Sequence, residues 1–286
     1  MSNHYRIVHT RFAESNQRSI VNEVSGSFLE VDAVKFYRIR VNNLTGACIH
    51  FLGDHCQISR SYAEQCCAID NDGQSYFLKP RYSLRIQCQV FLKNSENKEG
   101  LYHQMYGSAW SERILLSHTN SSHHKVPRQY AHFRFATFSR VSYSIFLDTE
   151  SDGGCPIGVY GSNTKVNHII AGRNNFSYGL FVVHTAVNSV ECTDSTFFSN
   201  KETGDLTKYF AAFDSTVYTI AMTNQIKFIR CKIDDSRIQF SGLSITNALQ
   251  TSTSIFNCVT NNHYVRDFSL SFIALDFLAL IYHENN

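Results

Sequence analysis

The chain has 286 residues and is 43% apolar, which supplies a core for one large domain or two ordinary ones and rules out a disordered protein. Its formal net charge is only +2 and its Lys and Arg are scattered rather than grouped, which argues against a nucleic-acid or anionic-membrane surface as the main working part. With 22 Phe and 15 Tyr beside 3 Pro, the composition favours strands.

The start, "MSNHYRIVHTRFAESNQRS", contains no apolar run able to serve as a secretory signal, so it reads as cytoplasmic. Residues 1–25 are expected to form a cap or a disordered start, with Arg11 to Glu23 able to make a turn or two of helix. From Gly26 onward short alternating stretches recur, among them "YRIRV", "SLRIQCQVFL", "AHFRFATF", "IKFIRCKI" and "RIQFSGLSI". In "AHFRFATF" Ala131, Phe133 and Phe135 share one face while His132 and Arg134 take the other, the period of a strand. Many short strands between Asn, Ser and Gly turns leave a sandwich, a propeller or a parallel solenoid.

Repeated turns favour the solenoid. "VNNLTGACIHF" (Val41 to Phe51) and "RNNFSYGLFVV" (Arg173 to Val183) share an Asn pair, a glycine and an apolar run, and a third pair, Asn261 and Asn262, also precedes a strand pattern. Asparagine tolerates the left-handed backbone that sharp bends require. Asn43, Asn175 and Asn262 are therefore expected at equivalent bends along one edge. Their spacings of 132 and 87 fit about six and about four rungs of roughly 22 residues, and Cys66 to Cys88 repeats that interval. The expected architecture is all-β: one parallel β-helix over 26–268, with the stretch 101–164 its least regular part and a β-sandwich as the alternative. Residues 269–286 include "FIALDFLALIY", half the length of a membrane helix and broken by Asp276, so they are expected to be a cap strand or short helix, not a span.

The nine cysteines include no CxxC and sit mostly among apolar and small residues, as Cys48, Cys88, Cys192 and Cys258 do, which points to buried free thiols, with one or more bridges as the alternative, and to no zinc site. Three Asn-x-Ser/Thr sequons, at Asn43, Asn120 and Asn175, matter only if the chain is exported.

Strings such as "VECTDSTFFSN", "SIFNCVTNN" and "LRIQCQVFLKN" resemble rungs of right-handed parallel β-helix proteins of the pectin-lyase-like kind, and are closest to polymorphic-membrane-protein-type surface proteins with FxxN and GGAI repeats. FxxN occurs here at Phe91 to Asn94 and at Phe197 to Asn200, and "GACI" at Gly46 to Ile49 approximates GGAI. The resemblance covers roughly Gly26 to Asn94 and Lys165 to Phe268. It implies a cell-surface or secreted adhesive protein, whereas the first nineteen residues carry no signal.

Because many such β-helices cleave polysaccharides, paired carboxylates are the chemistry to look for. Two groups qualify as candidate catalytic residues: Asp148, Glu150 and Asp152 in "LDTESDGG", and Asp234 with Asp235 in "CKIDDS". Each also reads as a solvated turn, and the first as a weak calcium loop without EF-hand spacing. His118, His123 and His124 cluster in a polar loop, and the single Trp110 could stack on a sugar. No GxSxG, HExxH, P-loop or GxGxxG motif is present. The expected function is a non-enzymatic structural or interaction protein, without cofactor or metal, that meets a protein or glycan partner. A carbohydrate-active enzyme is the competing reading.

Overall fold

A computed structural model describes residues 3–69, 71, 73–94, 105–108, 113–126, 133–136, 139–151, 157–160, 164–176, 181–184, 189–202, 211–213, 225–229 and 232–234. Every regular element among them is a strand, and every pairing between strands is parallel. Nine strands stack in chain order in the longest sheet: Asn3–Val8, Ser27–Asp32, His55–Glu64, Ser83–Leu92, Arg113–Ser122, Ser139–Leu147, Lys165–Gly172, Ser189–Thr193 and Gln225–Ile229. A second sheet stacks eight shorter strands from Ile20–Asn22 to Ala211–Phe213, and a third stacks Lys125–Val126, Glu150–Ser151, Asn175–Phe176 and Lys201–Glu202. The chain is a parallel β-solenoid. Among the described residues no helix is long and apolar enough to cross a membrane.

The rungs are longer than the 22 residues that the asparagine spacing implies. Asn3 lies against Ser27, His55 against Ser83, Ser83 against Arg113, Arg140 against Lys165 and Ser189 against Gln225, offsets of 24, 28, 30, 25 and 36. Cys66 and Cys88 are not one rung apart in position, because Cys66 follows a corner and Cys88 forms a different one. In place of the turn or two of helix expected within Arg11 to Glu23, Arg11–Ser15 and Ile20–Asn22 are strands of the first rung. Within 101–164 the described strands keep register with their neighbours, and Arg113–Ser122 and Ser139–Leu147 are among the longest in the molecule.

Register is set at two corners per rung. His9, Ala33, Arg60, Cys88, His118, Tyr143, His168 and Asp194 all have φ between 47 and 54°, and the strand pairings place them in one column. Five residues further along each rung, Glu14, Arg38, Gln65, Lys93, His123, Asp148, Arg173 and Ser199 form a second left-handed column. A non-glycine residue in this region costs about 1 kcal/mol, so something must hold sixteen of them there.

The compensation lies inside the coil. After the first corner, the N–H groups of Val34, Thr119 and Ile169 donate to the hydroxyls of Ser61, Ser144 and Ser195 one rung on, at 3.3, 3.2 and 3.2 Å. Those hydroxyls in turn donate to the carbonyl two residues before them, at 2.8, 2.8 and 2.7 Å. After the second corner the acceptor is an amide: the N–H groups of Cys66, Thr149 and Asn174 reach Oδ1 of Asn94, Asn174 and Asn200 at 2.7, 3.2 and 3.1 Å. Nδ2 of the same three asparagines donates to the carbonyls of Ala63, Phe146 and Ala171, at 3.3, 3.0 and 2.9 Å. His124 takes an asparagine's place, its Nδ1 accepting the Asn94 N–H at 3.2 Å and its Nε2 lying 2.9 Å from Ser121 Oγ. Acceptance at Nδ1 puts the ring proton on Nε2.

Apolar columns fill the rest of the bore. Val31, Ile58, Ile86, Leu116, Val141, Val166 and Cys192 are stacked in register and almost wholly buried. In the next column Phe36 and Phe91 flank the small Ala63, and the Tyr76 ring from the second sheet fills the gap, 6.0 and 4.9 Å from the two phenylalanines, with its hydroxyl donating to Gln89 Oε1 at 3.0 Å. Six described cysteines are free thiols, and all but Cys88 are buried. Gly46 and Gly73 stack at a third bend with φ of 66 and 64°, where a Cβ would strike the carbonyl three residues on.

Asn43 and Asn175 do not occupy equivalent bends. Asn43 is a left-handed residue closing the strand Lys35–Asn42, whereas Asn175 opens the strand Asn175–Phe176, between Glu150 and Lys201. The ladder residue is its neighbour Asn174, and the buried N–H that Asn174 serves explains the difference. Asn262 lies outside the described residues.

Asn174→Ala and Asn200→Ala should each lower stability by about 1–3 kcal/mol, the cost of an unpaired buried N–H, while His124→Asn should stay within about 1 kcal/mol of the parent. Urea unfolding midpoints of the three variants check this ordering.

Candidate functional site

At the second corner, the outward faces of successive rungs carry Lys93, His123, Asp148 and Arg173, one residue per rung. Two positions further along, Lys125, Glu150, Asn175 and Lys201 stand in register. The first column and Lys125, Glu150 and Asn175 of the second line an open groove of about 550 Å³. The parallel stack spaces these side chains by about 4.8 Å along the axis.

Asp148 is the centre of the groove's electrostatics. Arg173 grips it with both ends of its guanidinium, Nε to Oδ1 and Nη2 to Oδ2, each at 2.6 Å, and His123 Nε2 stands 3.8 Å from Oδ2. The Arg173 hydrogen bonds hold the Asp148 carboxyl below its ordinary range despite partial desolvation, and the same pair raises Arg173. A general acid for glycoside cleavage needs the opposite shift. The arrangement recurs at the first corner, where Arg60 clamps Asp32, Ser59 Oγ donates to Asp32 at 2.7 Å, and the Asp32 carboxyl is likewise depressed, chiefly by its hydrogen bonds from Arg60.

The structure brings Asp148 and Glu150 to one groove and separates them from the second acidic group. Leu147, Gly172, Phe198 and Asp234 are successive register partners, so Asp234 lies three rungs from the residue preceding Asp148. That is about 14 Å of stacked strands, beyond the roughly 5–9.5 Å of a glycosidase pair. Asp152, Asp235 and Trp110 lie outside the described residues. The three histidines diverge: His118 is at the first corner, His123 faces the groove and His124 is buried in the ladder. No group of three or more His, Cys, Asp or Glu able to hold a metal occurs among the described residues.

A ring stack on the first corner corresponds to no sequence motif. Tyr143, exposed at its edge, lies between His118 and His168 at centroid distances of 5.2 and 4.8 Å. Its sequence signal is the repeated spacing of 25 residues, visible only once the rung length is known. The sequons separate as well. Asn43 and Asn175 are exposed, while Asn120 lies within the strand Arg113–Ser122 with its Oδ1 enclosed and without a hydrogen-bond partner.

Because the native Asp148 and Asp32 carboxyls are depressed, the stability they contribute is fully present above the unfolded aspartate range near ~4 and is lost as pH falls through the lower native values. The difference in unfolding midpoint between the parent and Asp148→Asn should therefore be largest at neutral pH, vanish in strong acid and shrink with added salt, since Arg173 is half exposed. A pH series of urea midpoints at two salt concentrations checks the sign.

No family model, no curated protein and no solved structure matches this chain, so its function has to be argued from its own geometry.

Proposed function

We propose that the protein is a non-enzymatic structural or interaction protein that meets an extended protein or glycan partner along the lateral corner faces of its solenoid. The observation that carries this reading is the ladder His123, Asp148 and Arg173, in which one side chain per rung faces outward at the repeat of the fold and the candidate catalytic carboxylate is committed to an arginine. Such a face needs no convergent chemistry, only register. The family resemblance adds the setting: a pectin-lyase-like coil of the surface-protein type, exported and adhesive. FxxN supports that likeness, because Phe91 and Phe197 share one buried column and Asn94 and Asn200 share the amide ladder.

The competing reading is a polysaccharide lyase or hydrolase using Asp148 and Glu150 in the groove. Incubation with a panel of neutral and acidic polysaccharides should release neither reducing ends nor unsaturated products. Turnover that disappears in Asp148→Asn would establish the enzyme instead. Binding to the same panel, measured on an array, should weaken roughly tenfold in Arg173→Glu and Lys125→Glu, as expected for charges at the rim of a contact.

Export makes a separate prediction about the native protein. Mass spectrometry should find glycans at Asn43 and Asn175 and none at the enclosed Asn120. Bare asparagines together with nine free thiols on the unfolded chain would reject the surface setting.

A further inference from the structure

Four polar side chains from two rungs meet on the outer side of the second sheet. Arg18 and Glu23 flank the first-rung strand Ile20–Asn22, Thr45 precedes the second-rung strand Ile49–Phe51, and His50 lies within it, in register with Val21 and Phe77. Thr45 Oγ1 lies 2.8 Å from His50 Nδ1, Glu23 Oε1 lies 3.0 Å from His50 Nε2, and Arg18 Nη2 donates to Thr45 Oγ1 at 3.3 Å. A carboxylate only accepts, so Glu23 keeps the ring proton on Nε2 and leaves Nδ1 to accept from the hydroxyl. Thr45, His50 and Glu23 thus stand in the order of nucleophile, base and orienting acid.

Hydrogen-bond satisfaction alone does not account for the cluster. Among the described residues five buried side-chain polar atoms have no hydrogen-bond partner, and three of them are Arg18 Nε, Ser19 Oγ and His50 Nε2, the last because Glu23 is close but out of line with the ring N–H. Such atoms are few in folded proteins, and catalytic contacts commonly stand out of line until a substrate is bound. The imidazole is 6% exposed and stacks on Phe77 at 5.2 Å, with Lys79 Nζ over the Phe77 ring at 4.8 Å. Burial, and next the charge of Arg18, hold the His50 pKa below the ordinary histidine value, so the ring is a neutral proton acceptor at neutral pH. Arg18 and Glu23 offset one another at 4.0 Å, and close to them and to Thr45 in the chain stand Val21, Val24 and Leu44, three of the five exposed large apolar side chains among the described residues.

We propose that Thr45 is an acyl-acceptor site that takes a neutral, apolar acyl group from an activated carboxylic ester, such as a thioester, and keeps it. Thr45 Oγ1 attacks the carbonyl carbon as its proton passes to His50 Nδ1, and the Arg18 N–H groups face the negative charge that develops on the carbonyl oxygen. The bond from the carbonyl carbon to the leaving sulfur or oxygen then breaks, that atom takes the proton from Nδ1 and departs as a thiol or alcohol, and an ester joins the acyl group to Thr45 Oγ1. Nothing is oxidised or reduced. With Nε2 turned to Glu23, one ring face on Phe77 and the acylated Oγ1 at Nδ1, His50 has no side left from which to activate water, so the bond is made once per chain. This goes beyond the lateral corner faces and, being stoichiometric, is compatible with a protein that turns nothing over.

The full chain mixed with p-nitrophenyl butyrate should release p-nitrophenol in a burst of one equivalent and then stop, and peptide mass spectrometry should place the butyryl group on Thr45. Thr45→Ser should still be acylated and Thr45→Val should not, with cooperative urea unfolding to show that both are folded; the mapping on the unaltered chain decides the site even where a variant does not fold. His50→Gln should slow the burst roughly a hundredfold. In the parent the burst rate should be level at neutral pH and fall in acid, below the ordinary histidine value near ~6.5, as Nδ1 becomes protonated. Because Glu23 raises the His50 pKa, Glu23→Gln should move that fall to lower pH, which a merely structural loss would not do. No burst above that of Thr45→Val, acylation mapped to another residue, or an unmoved pH profile in Glu23→Gln overturns the proposal. So does release that continues past one equivalent, because the chain would then be an esterase.

Discussion

Each rung turns twice through a left-handed residue, and each turn points the next residue's N–H into the interior, where water cannot serve it. An unpaired buried N–H costs about 1–3 kcal/mol, comparable to the strain of the corner itself. Both costs are met from the following rung by a side chain that enters the core. Ser61, Ser144 and Ser195 do this at one corner, Asn94, Asn174 and Asn200 at the other. The two chemistries differ because the tasks differ. At the first corner one hydroxyl satisfies an N–H of the preceding rung and a carbonyl of its own strand, whereas at the second an amide bridges an N–H and a carbonyl that both belong to the preceding rung. His124 fits the amide column only as the Nε2-protonated imidazole, with Ser121 taking up its second nitrogen.

With corners fixed this way, the connections between them are free to vary, which is why offsets of 24 to 36 residues coexist in one coil. It also explains why the corner residues themselves are chemically diverse. Arg, His, Tyr, Cys, Lys and Asp all occupy left-handed positions there, and the selection falls instead on the residue that follows. Freed from a conformational role, corner side chains face outward in register and form columns of their own. The stacked rings of His118, Tyr143 and His168 and the clamp of Arg173 on Asp148 both arise from this.

Columns carry a risk, because like charges one rung apart would repel along the whole edge. The molecule avoids it by alternating sign between neighbours: Glu14 meets Arg38, Asp32 meets Arg60, and Asp148 meets Arg173. The same neutralisation ties up Asp148, which would otherwise be the groove's best candidate for acid chemistry. Inside, small and large residues alternate between sheets in a similar way, with Tyr76 filling the room left by Ala63.

Local pattern is enough to read strands from Gly26 onward, a stacked repeat and thiols packed as small hydrophobes, because alternation and residue size act within one strand or one side chain. FxxN was visible too, but with 22 Phe and 22 Asn in the chain two matches carry little weight until Phe91, Phe197, Asn94 and Asn200 are seen to share columns. The Asn-Asn pairs give too short a rung because their members do different work: Asn43 bends the chain, Asn174 pairs inside, and Asn175 faces out. Only the fold decided which residues stand one rung apart, and with that the divergence of the three histidines, the separation of Asp148 from Asp234 and the partnership of Asp148 with Arg173. The last two relations join residues 25 or more positions apart through pairings of variable length, and no local periodicity encodes an interval that the loops are free to change.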